Sequence, residues 1–142
     1  MQEAFTCSLI RRLAAILYDS IVLIGLLFLA TVPPTLIHGG GITEPLAAFG
    51  LQLYLLAVSF AFFGWFWTHG GQTIGMRAWR IRVVDRAGNA VTWGRAFVRF
   101  LAALLSWAAA GMGFVWSLFD PERLTWHDRL SGTRTVHVPR VK

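Results

Sequence analysis

Four ionisable residues stand in or beside apolar runs, where charge is expensive: Arg12, Asp19, Arg99 and Asp128. Asp19 falls inside the run Leu13–Val32, and an uncompensated carboxylate at that depth costs about 3 kcal/mol. Such a group either carries a proton or cation, or ties helices together through a partner charge. Arg12 lies seven residues earlier, on the same helix face but about 10 Å along the axis. Arg99 belongs to another apolar run and can approach sideways; Arg95, four residues before it, shares its face. We therefore expect Asp19 in the protein interior, within salt-bridge or one-water distance of Arg12 or Arg99. Asp128, expected at the membrane surface, would share either arginine, so that one cation serves two carboxylates.

Other chemistries find less support. His127 and Asp128 are adjacent, and adjacent side chains usually point apart; a helix-capping or docking role suits Asp128 better than an acid–base pair. Ser131-Gly132-Thr133 lacks the context of a nucleophile elbow, and Gly70–Gly75 lacks the Lys-Ser/Thr of a phosphate loop. The four histidines and the single Cys7 show no metal-ligand spacing. No enzyme activity, metal or cofactor is expected.

The elements that must position these residues follow from composition. Apolar residues make up 56% of the 142 residues and charged ones 14%, too much apolar surface for a soluble domain of this size to bury. The net charge of +6 fits basic loops beside membrane spans better than nucleic-acid binding. Leu13–Val32 and Leu46–Trp67 are each long enough to cross a bilayer. The loop between them has no Lys or Arg, whereas Thr68–Arg95 has five arginines. That bias places the N-terminus and the second loop inside. A third run, Ala96–Phe119, is broken by Ala108–Gly113, and the tail beyond it is again basic. A re-entrant segment suits it better than a third crossing, though both remain open. Ala102, Ser106 and Ala110 form a small-residue stripe suited to packing against another span. Ile81–Val84 and Ala90–Trp93 flank a polar turn and predict a hairpin, joined by Thr133–Val138. The expected fold is thus an all-α membrane protein with two transmembrane helices, a re-entrant or third membrane segment, and a small cytoplasmic antiparallel sheet. One domain spans 1–142, with a cytoplasmic hairpin about 81–93 and a cytoplasmic tail 120–142.

The order Arg12–x6–Asp19, then GGQTIGMRAWRIRVVDRAGN, then FDPERLTWHDRLSGT resembles the RDD family of bacterial membrane proteins. The resemblance assigns its naming Arg and two Asp to Arg12, Asp19 and Asp128. It also matches Gly71, Thr73, Gly75, His127, Gly132 and Thr133 as structural motif positions. This sequence departs from the family at Met76, where a Lys is common. The resemblance implies a multi-pass protein of the bacterial inner membrane, and sodium–proton exchange has been proposed for some members.

Two functions fit. One is a small cation/proton transporter acting as a homo-oligomer, with Asp19 as carrier. The alternative is a non-catalytic scaffold with structural charges and a cytoplasmic protein partner. The lipid bilayer is a partner in both; nucleic acid is in neither.

Overall fold

The computed structural model describes residues 7–139. Arg140 and Lys142, counted in the charge of the tail, lie outside them. Helices α1 (Leu9–His38) and α2 (Pro45–Thr68) are both long and apolar enough to cross a membrane. α1 runs through Pro33 and Pro34, past the Leu13–Val32 stretch. The hydroxyls of Thr31 and Thr35, on either side of the two prolines, donate to the carbonyls of Phe28 and Thr31. Gly39, at φ 79°, then closes α1 with a left-handed cap. α2 starts on Pro45, where the missing N–H costs nothing.

The short helix α3 (Ile74–Ala78) leads into strand β1 (Ile81–Asp85). Helix α4 (Trp93–Ala108) follows, then α5 (Met112–Val115) and a 3-10 turn at Trp116–Leu118. Helix α6 (Trp126–Ser131) and strand β2 (Thr133–His137) complete the order.

β1 and β2 form a two-stranded antiparallel sheet, with Ile81 opposite His137 and Asp85 opposite Thr133. The expected partner Ala90–Trp93 is not a strand. The polar turn does form, through Gly88 N–H to Asp85 O at 3.1 Å and Asp85 N–H to Asn89 O at 3.0 Å. Beyond it, Thr92 caps α4 by accepting from Arg95 N–H, which pulls Trp93 into the helix. The tail strand therefore takes the place of the hairpin arm.

The third apolar run breaks where the Ala-Gly stretch predicts. Ala110 and Gly111 adopt φ 55° and 78°, and the chain bends by 105° between α4 and the Met112–Leu118 segment. A bend of this size at so short a break fits either a broken span or a re-entrant segment, the two readings of the third run. The small-residue stripe also finds a different neighbour. Ser106 is buried against Gly113 of α5, where a Cβ would strike its hydroxyl, and Ala110 is exposed in the break.

The core cluster includes Ala15, Trp67, Ile81, Val83, Ala96 and Phe100. Cys7 N–H donates to Thr135 O at 3.3 Å. The start of α1, the α3–β1 segment and the tail thus meet at one end of the α1–α2 pair.

Candidate functional site

The buried residues of α1 are Arg12, Ala15 and Asp19, one helix face by their spacing. The two charges on that face do not meet each other. Each goes to a different part of the fold.

Arg12 reaches the tail. Its Nη1 donates to Asp128 Oδ2 at 2.6 Å, and its Nη2 donates to the carbonyl of Arg123 at 3.2 Å. Arg99, on α4, donates from Nη1 to Asp128 Oδ1 and to Thr133 Oγ1, and from Nη2 to Thr135 Oγ1. Its guanidinium carbon lies 5.1 Å from the centre of the Trp67 ring, a cation–π contact with α2. Asp128 itself is fully buried at the third position of α6. It forms a reciprocal capping box with Thr125, accepting from Thr125 N–H at 3.3 Å while its own N–H donates to Thr125 Oγ1 at 3.4 Å. Burial opposes ionisation of Asp128, but Arg99 and Arg12 outweigh it and hold the carboxyl below the usual carboxylate range. Burial and the neighbouring Arg99 push His127 down from 6.5 to about 3, so its ring is neutral at pH 7. That ring packs 4.9 Å from Phe114. Gly132, at φ 64°, ends α6 and turns the chain so that Thr133 and Thr135 face Arg99.

Asp19 reaches α3 instead. Thr73 donates its hydroxyl to Oδ2, and Gly75 N–H donates to Oδ1 at 2.8 Å. Thr73 also caps α3 by accepting from Met76 N–H at 3.2 Å. Gly75 sits so close to α1 that a Cβ would strike the Ala15 carbonyl. Gly71, at φ 72°, brings its carbonyl 2.8 Å from Val83 N and lines up α3 for this contact.

Two expectations are corrected here. Among the described residues Asp19 forms no ion pair; its two partners are neutral donors. Asp128 is in the interior rather than at the surface, and the network holds two cations on one carboxylate, not the reverse. The reason is reach. Arg12 and Asp19 are two turns apart, while the short α6 delivers Asp128 between Arg12 and Arg99. Arg11 is exposed, whereas Arg12 beside it is buried. Arg95 stays outside this network: its exposed Nη1 meets Asp85 at 3.4 Å and donates to the Gly132 carbonyl at 3.4 Å. Thr125 and Thr135 complete the site without having been singled out. Thr125 was findable, because Thr-x-x-Asp is a capping-box pattern; Thr135 had no signal beyond strand alternation.

A cavity of about 260 Å³ lies between α1, α2 and α4. Leu23, Leu56 and Leu104 are among its apolar walls; Arg12, Arg99 and His127 line its polar end, and Asp19 borders it.

The RDD family model matches residues 6–132. No curated protein and no solved structure gives a match.

Proposed function

We propose, from the premise that this chain belongs to the RDD family, that it is a membrane scaffold whose buried charges are structural. The observation that carries this reading is the double use of Asp128. One carboxylate takes Arg12 of α1 and Arg99 of α4, and so ties the returning tail to two helices. Asp19 performs the matching task on the other side, docking α3 and β1 through neutral hydrogen bonds. Together they hold a small α/β cap, made of α3, β1, α6 and β2, on one end of the apolar helices. We place this cap and the N-terminus on the cytoplasmic face of a bacterial inner membrane. Support comes from the arginines at that end, including Arg11, Arg77, Arg80, Arg82 and Arg134. The cap is the surface offered to a cytoplasmic partner. Reporter fusions after Lys142 test the sidedness, with a periplasmic signal opposing it.

The transporter reading keeps one supporting observation: Asp19 borders the cavity. Proteoliposomes with imposed sodium and proton gradients decide between the two. The scaffold reading expects no flux above empty vesicles, from wild type or from Asp19→Asn. A flux that Asp19→Asn abolishes in a folded protein overturns it.

A further inference from the structure

The cavity between α1, α2 and α4 does more than separate helices. Its α1 wall runs from Arg12 to Leu23, and its α2 wall from Leu56 to Trp67. Each wall is twelve residues long, about 16 Å from first to last at the helical rise. The slot is therefore elongated along the helices. α1 and α4 each pack on α2 but barely touch one another, so the slot lies in the gap between them. Most of its lining is apolar; Arg12, Trp67, Arg99 and His127 lie toward the end where the cap sits, while Ser20 and Ser59 donate their hydroxyls to the backbone of their own helices.

That polar end is rich in hydrogen-bond donors. Arg12, Trp67, Arg99 and His127 all line it and are all more than nine-tenths buried. Each retains a buried ring or guanidinium nitrogen without a partner: Arg12 Nε, Trp67 Nε1, Arg99 Nε and His127 Nδ1. The first three are N–H groups that can only donate. Leaving such buried groups unpaired is unfavourable. Charge adds to this. Arg12 and Arg99 share one carboxylate, Asp128, and His127 is neutral. The cluster is thus one positive charge in excess. Asp19 also lines the slot, about 10 Å along α1 from Arg12, with both oxygens engaged by Thr73 and Gly75.

We propose that this slot binds a single-chain amphiphile from the membrane. Its anionic, acceptor-only head lies at Arg12, Arg99 and Trp67, and its acyl chain lies along Leu23, Leu56 and Leu104. A fatty-acid carboxylate and a lysophospholipid phosphate share this chemistry. Either head supplies the acceptors that the unpaired donors need and the negative charge that the cluster lacks. This goes beyond the scaffold reading and does not rest on it.

The test is native mass spectrometry on the full chain, purified in detergent and delipidated. Palmitate, lysophosphatidic acid, methyl palmitate and inorganic phosphate are added in separate arms. The expected result is one adduct per chain with palmitate, lysophosphatidic acid or both, the arm that binds identifying the source of the head. Methyl palmitate should bind at least about tenfold more weakly, since a hydrogen bond to a charged group is worth more than one factor of ten. Ala103→Phe fills the slot away from the charged cluster and should abolish the adduct. Ser59→Phe does the same from the α2 wall, and stands in if Ala103→Phe fails to fold. Equal binding of the methyl ester, adducts that survive in folded slot-filling variants, or displacement by phosphate at equal concentration would each overturn the proposal. Ion flux, the test of the scaffold reading, can succeed or fail without changing this result.

Discussion

Asp19 and Asp128 are both buried carboxylates, 3% and 0% exposed, yet they are stabilised in opposite ways. Asp128 accepts from two guanidinium groups carried by two different helices. Asp19 accepts from a hydroxyl and a backbone N–H, both neutral. Removing one member of a buried ion pair leaves an unpaired charge in the interior, at a cost of about 3–5 kcal/mol. Removing one neutral hydrogen bond costs about 0.5–1.5 kcal/mol. The tail is thus held by a tie that fails catastrophically, and the α3 segment by one that fails gently. One cation network is enough for this fold, placed where three segments meet.

The largest expected effect comes from Asp128→Asn. It strands Arg12 and Arg99 together and should lower stability in detergent by about 3–5 kcal/mol. A loss below about 1 kcal/mol would remove the contrast between the two sites.

pH should sharpen the same contrast. His127, beside Asp128, has its folded pKa lowered from 6.5 to about 3. Between those values the unfolded chain binds a proton that the folded chain does not, so stability falls as pH drops below about 6.5. Asp128 adds a further loss only as pH falls below its ordinary 3.8, because its folded carboxyl is depressed. Unfolding measured from pH 7 to pH 4 should therefore show a slope that His127→Gln flattens. An unchanged slope would mean that His127 is not buried neutral.

Gly75→Ala should cost about 1–3 kcal/mol, by forcing α3 away from the Ala15 carbonyl. Gly88→Ala, whose added methyl meets nothing, probes only the positive φ of its turn and should cost less. Equal losses would show that the α1–α3 approach is not tight.

The smallest effect is expected for Asp19→Asn, about 0.5–1.5 kcal/mol by unfolding in detergent. The amide oxygen can still accept from one neutral donor. A loss as large as that of Asp128→Asn would point to a cation at Asp19 after all.

Much of this was legible in the residues. The long apolar helices, the break at Ala108–Gly113 and the antiparallel role of Thr133–His137 follow from hydropathy, glycine placement and β-branched content. The burial of Arg12, Asp19 and Arg99 follows from the cost of charge in apolar runs. The pairing does not. Which carboxylate receives Arg12 depends on where α6, only six residues long, is delivered by the bend after α4, and no local pattern encodes that. The hairpin expectation failed for a related reason. Ala90–Trp93 and Thr133–His137 have similar β character, and the choice between them was made by the Thr92 cap and by the tail's hydrogen bonds to Arg99.

The most direct test is a pair of double-mutant cycles on folding stability, one for Arg99 with Asp128 and one for Arg99 with Asp19. Arg99→Gln is combined in turn with Asp128→Asn and with Asp19→Asn. Residues joined in one buried network couple by about 0.5–3 kcal/mol, and separated ones add within about 0.5 kcal/mol. The account predicts coupling near the top of that range for Arg99 with Asp128, and additivity for Arg99 with Asp19. Stronger coupling of Arg99 to Asp19 than to Asp128 would contradict it.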